Sequence, residues 1–379
     1  MAAVAFLPEE IILQIVTRLP VKSVGRCRCV STRWRSLFSD PHFAKSHFQL
    51  APKHRALIFQ HLMKLETLGL DLSDTTLIEK ESLVLRNLNS PFPFHHKNVE
   101  FLGSCNGLVA VRVICPSNQE EECFLIWNPS TGFFKKFPCR RGFSNHEYKS
   151  GFGYVSKTDE YILVKNDAIL SSKTETWKPM EILPPGADIW MSPGVFFRDA
   201  LHWLARCRRS RRCRRSRRSR PQRVCHMYAF DLEKEEFSIM QLPSALQTLD
   251  IRTWNHGVTR EGCLYVMVHK NVYRDGELDY YMVEYWVMRD YGNNDSWTRS
   301  FGVKIPSQPA RKHWYLSLES ISVSETSALV RNRCPLEPEN SKLLSTSHYR
   351  NEEENSDIYV IETHAPHVVG YEESLCRLD

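Results

Sequence analysis

The stretch Phe6–Phe48, FLPEEIILQIVTRLPVKSVGRCRCVSTRWRSLFSDPHFAKSHF, decides how the whole chain is read, because its apolar residues recur at helical spacing whereas the rest of the chain reads as short strands. Leu7-Pro8-Glu9-Glu10 suits a helix start: proline lacks the N–H that would go unsatisfied in a first turn, and acids favour the positive helix end. Ile11, Ile12, Ile15, Val16 and Leu19 then recur at helical spacing and give one wide apolar stripe. Pro20 ends this helix. Ser23 is expected to cap a second helix through Val24, Cys27 and Val30, and Ser31 a third carrying Trp34, Leu37 and Phe38, after which Asp40-Pro41 punctuates again. Three short helices in about 45 residues bury too little surface to stand alone. Part of the apolar surface is therefore expected to belong to an interface.

Beyond about Arg55 the spacing changes to short apolar runs broken by Gly, Asn, Asp, Ser and Pro, which predicts an all-β region. Leu57-Ile58-Phe59, Leu83-Val84-Leu85 and Gly107 to Val113 are early runs. Four later segments share one plan, in which a strand leads through a polar turn into a further strand closed by proline. These are Ile126 to Pro138, Ala168 to Pro184, Tyr228 to Pro243 and Tyr285 to Pro306. Their markers Trp127, Trp177, Phe237 and Trp297 lie 50, 60 and 60 residues apart. Antiparallel repeats of this length point to a β-propeller, in which neighbouring blades bury one another's faces. Arg55 to Leu85 and a last unit at Ile321 to Val330 plus Ile358 to Ile361, split by the polar segment Pro335 to Asn355, bring the expected blades to about six.

Two resemblances arise from these residues. Leu7-Pro8, Glu10-Ile11, Ile15, Leu19-Pro20, Ser23, Arg26-Cys27-Arg28, Val30-Ser31 and Trp34 resemble the F-box motif in its plant form, with Gly25 standing where that family carries a large aliphatic residue and Thr32 where it often has lysine. Ser104-Cys105-Asn106-Gly107-Leu108-Val109, Trp127-Asn128-Pro129-Ser130-Thr131, Gly151-Phe152-Gly153-Tyr154 with Asp159, Ala200 to Leu204, Ala229 to Leu232 and the Trp286 to Trp297 segment resemble the plant F-box-associated, kelch-like domain. Together they imply an α+β multidomain chain: a three-helix F-box at residues 1–50, then a propeller-like domain at 51–379. They also imply a non-catalytic substrate receptor of a Skp-cullin-F-box ubiquitin ligase, bound to a Skp-family adaptor and through it to a cullin, presenting a protein substrate for ubiquitination and degradation. Leu7, Pro8, Glu10, Ile11, Ile15, Leu19, Pro20, Val24, Cys27, Val30 and Trp34 are the residues expected to make or support the adaptor contact.

Composition, 42% apolar and 25% charged, is that of an ordinary globular protein. The chain shows no basic-then-apolar leader and no apolar run of membrane-spanning length, so cytoplasm, nucleus or both is expected. Twelve cysteines include no CxxC pair, and HExxH, GxSxG, P-loop and sialidase-type turn patterns are missing, which argues against a metal, a cofactor or a catalytic role. The net charge of +6 hides an asymmetry: Arg206 to Arg223 carries eleven arginines and no acid, and the remainder is −5. This run is expected to be a solvated, disordered insertion between two strands. It carries the alternative reading, a nucleic-acid-binding or nuclear protein, since arginine clusters release counterions from phosphate backbones. No aromatic residue interleaves the run for base stacking, which argues against a dedicated nucleic-acid site. Substrate recognition is expected on loops such as His146 to Ser150, Ala187 to Pro193 and Asn271 to Asp279.

Overall fold

The computed structural model of the chain describes residues 7–60, 64–70, 86–91, 99–114, 122–138, 150–180, 187–189, 193–207, 224–247, 251–306, 317–324, 327–333, 342–347, 357–362 and 367–378. Helices come first: α1 (Glu9–Val16), α2 (Val21–Cys27), α3 (Thr32–Leu37) and α4 (Pro41–Leu50). The fourth helix exceeds the three expected, because Asp40-Pro41 starts a helix as well as ending one. Asp40 Oδ1 accepts from the amides of His42 at 2.8 Å and Phe43 at 3.2 Å, and Pro41 occupies the first turn, where its missing N–H costs nothing. Ser31 caps α3 as expected, accepting from the Trp34 amide at 3.1 Å. Ser23 does not cap α2. It lies inside that helix, which starts directly after Pro20.

An N-terminal set of helices followed by an all-β, propeller-like domain is the architecture. Among the described residues the strands form six sheets whose neighbours pair antiparallel, and the chain clusters into two compact units. The first unit, residues 1–71, 84–141 and 369–379, holds the helices and two sheets. One sheet is β1 (Arg55–Gln60), β2 (Leu65–Leu70) and β3 (Arg86–Leu88), completed at its edge by β25 (His367–Glu372) from the far end of the β region. The other is β4 (Val99–Cys105), β5 (Leu108–Ile114), β6 (Glu122–Trp127) and β7 (Phe134–Phe137). Between their faces lies a core of Ile58, Leu65, Val109, Val111, Leu125, Trp127 and Tyr371.

The second unit carries four sheets. They are β8 (Ser150–Val155) to β11 (Trp177–Pro179) through β9 (Glu160–Lys165) and β10 (Ala168–Ser171); a five-stranded sheet of β12 (Ala187–Ile189), β13 (Val195–Phe197), β14 (Ala200–Cys207), β15 (Val224–Asp231) and β16 (Glu236–Gln241); β17 (Ile251–Val258), β18 (Leu264–Arg274), β19 (Glu277–Met288) and β20 (Trp297–Pro306); and β21 (Ser317–Val323), β22 (Ser327–Arg333), β23 (Lys342–Ser347) and β24 (Asp357–Glu362). Several consecutive strands pair through tight turns. Asn106-Gly107 (φ 49° and 77°), Arg198-Asp199 (φ 49° and 56°) and Asp275-Gly276 (φ 53° and 84°) each supply the two left-handed residues of a type I′ hairpin.

The four repeated segments are each the last two strands of a sheet, and the pairs at or next to the turn are Trp127 with Phe134, Leu170 with Trp177, Phe230 with Phe237 (one step in from Asp231 with Glu236) and Met288 with Trp297. The marker Trp127 is thus out of frame with the other three. Phe134 is the equivalent position, and the intervals become 43, 60 and 60. The second of these contains residues 208–223, while the third is lengthened by the long β18–β19 hairpin, with strands of 11 and 12 residues. Asn271 to Asp279 is consequently the tip of that hairpin and not a loop. Ala187 to Ile189 is likewise strand β12, while 190–192 and 146–149 lie outside the described residues. So do Leu83 to Leu85. Trp127, Trp203 and Trp297 are buried among sheet residues, as their strand positions predict. Within β8, Tyr154 donates to Asp159 at 2.6 Å, the acid that the sequence placed at the next turn.

Arg206 and Cys207 belong to β14, pairing with Cys225 and Val224. The insertion between the strands therefore starts two residues later than expected, and its residues 208–223 lie outside the described set. Register across β14–β15 is unbroken from Ala200–Asp231 to Cys207–Val224, so a two-residue turn could join the last pair directly. Replacing residues 208–223 by Asn-Gly is expected to raise the melting temperature by about 5 °C at most, since three halvings of loop length contribute only about 0.6 kcal/mol each. Collapse of the thermal transition would instead mean that the arginines pair with acids of the domain body.

Candidate docking face

The helices enclose a small core of Val16, Val21, Val24, Phe38, Phe43 and Ala44, with Ile12, Leu13, Leu19, Cys27, Trp34 and Leu37 packed around it. Trp34 meets Phe38 edge-on at 5.4 Å between centroids, and Phe38 in turn lies 5.0 Å from Phe43. His47 is buried beneath this cluster. Its Nε2 lies 2.7 Å from the Leu19 carbonyl and must donate to it, which satisfies a carbonyl stranded ahead of Pro20. Burial holds the imidazole's pKa below its ordinary value, opposed in part by that bond. Arg33 pairs with Glu9, tying the start of α3 to the start of α1.

With the interior filled from within, a line of apolar side chains is left on the outside. Leu7 is 60% exposed, Ile11 39%, Ile15 50% and Val30 66%. Leu7, Ile11 and Ile15 repeat every four residues, so they share one side of α1 and its entry. Exposed aliphatics grouped on one short element differ from the singly scattered apolar residues of an ordinary surface. Pro8 and Glu10 are also exposed, whereas Leu19, Pro20, Cys27 and Trp34 are half-buried. Val24 is the exception in the expected contact set. It is fully buried in the helical core, beneath the exposed residues.

Gly25, the departure from the resemblance, is exposed inside α2, and a Cβ built there meets nothing within 4 Å. Gly25→Ala is expected to stabilise the helices by about 0.5–1 kcal/mol, read as a rise in the denaturant midpoint. An unchanged or lower midpoint would show that this helix needs the backbone freedom.

Sequence reasoning missed Leu375, which packs into the same helical core from the far end of the chain, and it missed β25 and β23. Nothing local to Leu375 signals its partners. Among the described residues no group of three or more His, Cys, Asp or Glu could hold a metal ion, and no helix is long and apolar enough to cross a membrane.

Residues 6–46 match the F-box domain family, and residues 58–378 match the family described as F-box associated beta propeller domain. The chain is similar to the Arabidopsis thaliana F-box protein CPR1, with 26% identity over 80% of this chain and 74% of that one. It is also similar to the Arabidopsis thaliana F-box/kelch-repeat protein At3g23880, with 23% identity over 81% of this chain and 82% of that one. Among solved structures, TolB from Acinetobacter baumannii aligns with a TM-score of 0.41 at 8% identity, covering 85% of this chain and 66% of that one.

Proposed function

The chain belongs to the F-box proteins that carry an F-box-associated β-propeller domain, and from that premise we propose that it is the substrate-recognition subunit of a Skp-cullin-F-box ubiquitin ligase. The exposed line Leu7, Ile11, Ile15 and Val30 carries this reading, because these side chains have no interior left to fill and await a partner. Pro8, Glu10, Leu19, Pro20, Cys27 and Trp34 border or support the contact, and Val24 holds it from beneath. The partner is a Skp-family adaptor, through which a cullin is reached.

The chain's contribution is proximity: it holds a protein substrate near the ubiquitin-charged enzyme, and no group of its own reacts. The β domain supplies the substrate surface, with residues 1–50 serving assembly and 51–379 selection. A reducing compartment, cytoplasm or nucleus, suits the free cysteines, of which Cys105, Cys123, Cys225 and Cys376 are buried. Co-expression of the full chain with a Skp-family adaptor is the direct test. A stoichiometric complex is expected on size exclusion, and well-folded protein that elutes alone sinks the proposal.

A further inference from the structure

Two of the sequence motifs, Ser104-Cys105-Asn106-Gly107 and Trp127-Asn128-Pro129-Ser130-Thr131, have no part in the docking face, yet their polar atoms converge on one place. Asn128 is fully buried. Its Nδ2 donates to the Ser374 carbonyl at 3.0 Å, to Ser374 Oγ at 3.2 Å and to the Cys376 carbonyl at 2.7 Å. Its Oδ1 accepts from the amides of Ser130 at 2.8 Å and Thr131 at 3.2 Å, which fixes the orientation of the amide group and aims Nδ2 away from its own turn.

The other motif shapes the opposite wall. Gly107 has φ +77°, and a Cβ there would stand 2.2 Å from Ser374 Oγ and 2.6 Å from the Glu372 carbonyl, so only glycine admits the segment this close. Ser104 Oγ donates to the Gly370 carbonyl at 2.6 Å, and the Glu373 amide donates to the His54 carbonyl at 2.8 Å.

What lies in this socket is a stretch of the same chain. Ser374 and Cys376 are buried against Asn128, while Leu375 between them packs into the helical core with Val16, Val21, Val24, Phe38, Phe43 and Ala44. Glu373 pairs with Lys22 of α2 at 3.2 Å, and Glu372 lies 3.6 Å from Lys53 and 3.4 Å from Arg55, which flank the junction between α4 and β1. The segment thus touches helices on one side and two sheets on the other.

We propose that Asn128 and the Asn106-Gly107 turn form a socket for the chain's own segment Glu372–Cys376, and that the seated segment locks the helices to the first two sheets. Asn128 is a positioning residue: it acts through Leu375, which lies between its partners Ser374 and Cys376. Along the chain α4 (ending at Leu50) joins β1 (starting at Arg55) only through residues 51–54, and the socket adds a second tie. On the receptor reading, to which this adds, the device keeps the adaptor-bound helices in fixed register with the domain that selects the substrate. Ubiquitin transfer gains from such fixed geometry as any positioned reaction does.

Amide hydrogen exchange on the full chain, free of adaptor, tests the socket. Asn128→Asp keeps the side chain's size and its bonds to Ser130 and Thr131 but turns an oxygen toward two carbonyls, so the segment should be expelled. Expected are at least tenfold faster exchange at Glu373 and Cys376, equally in α2 and α4, and at least tenfold faster tryptic cleavage after Lys53, with β5 and β6 still protected. Leu375→Ala is the second variant, guarding against misfolding of the first. It should leave Glu373 and Cys376 protected while α2 and α4 loosen. A merely local role for Asn128 predicts changes confined to residues 128–133, and that result overturns the proposal, as does an unmoved Lys53 cleavage rate in both variants. Because no adaptor is present, failure of the wild-type chain to bind one would leave this result standing.

Discussion

Ile15→Asp is expected to weaken capture of a Skp-family adaptor at least a hundredfold while leaving the melting of the β region unchanged within about 2 °C. The two halves of this outcome have separate causes. Ile15 is half-exposed in the free chain, so an aspartate there loses few native contacts, and surface substitutions of this kind usually stay within about 0.5 kcal/mol. In a complex the same position would lie beneath the partner, where the lost aliphatic burial contributes about 2 kcal/mol and an unpaired carboxylate adds a desolvation penalty of a few more. A hundredfold corresponds to about 2.7 kcal/mol, within reach of either contribution combined with part of the other. Titration calorimetry with the adaptor gives the affinity, and circular dichroism gives the fold. Val24→Asp is the informative contrast: buried in the helical core, it should unfold the helices and abolish binding for a different reason. Should Ile15→Asp bind within threefold of the unmodified chain, the outer side of α1 is not the contact.

Features written locally were legible in the sequence, and features made by distant pairing were not. The Asn106-Gly107 hairpin, the Ser31 cap and the closing turns before Trp177, Phe237 and Trp297 were all readable because each is decided within about six residues by backbone preference. α4 was lost to a double meaning, since Asp-Pro both stops one helix and opens the next. β23 lies inside a polar segment with no alternating apolar signal, so only its partners β22 and β24 define it as a strand. The same holds for β25 beside β1 and for Leu375 in the helical core, contacts separated by more than three hundred residues. Of the candidate site, periodicity gave Ile11, Ile12, Ile15, Val16 and Leu19 as one stripe but cannot say which edge of it faces inward: Val16 is buried, whereas Ile11 and Ile15 are exposed. Val24 inside and Val30 outside were therefore indistinguishable until the helices were packed.

Acidification from pH 6.5 to 4 is expected to lower the melting temperature of the second unit by about 10 °C, through His202 and His256. Both side chains are buried, and burial pushes both pKa values down from 6.5 to about 4. Their hydrogen bonds require the neutral forms. His202 Nδ1 faces the Val195 carbonyl at 3.2 Å and must donate, so Nε2 must accept from the Tyr291 hydroxyl at 2.9 Å. A proton on Nε2 would oppose that hydroxyl's hydrogen. His256 Nε2 donates to the His202 carbonyl at 2.8 Å, placing the two rings in one network, where a charge on either raises the cost of charging the other. Arg198, 5.2 Å above the Tyr291 ring, adds a further positive charge nearby. Above pH 6.5 both states are neutral and stability is complete. As pH falls toward 4 the unfolded chain takes up protons that the folded chain refuses, so stability declines, at about 1.4 kcal/mol per pH unit for each histidine at most. Below about pH 4 the folded rings titrate too, and this contribution levels off. Repulsion between the two rings keeps the folded chain from taking up the second proton, so the two losses add, and a few kcal/mol translates to about 10 °C for a unit of this size. His226 and His47, whose pKa values are also lowered by burial, leave a residual slope. Calorimetric melting of the unmodified chain and of a His202→Gln, His256→Gln double variant separates the contributions. The variant should start less stable at pH 7 and lose most of the acid dependence. An equal slope in both proteins would place the acid sensitivity elsewhere in the chain.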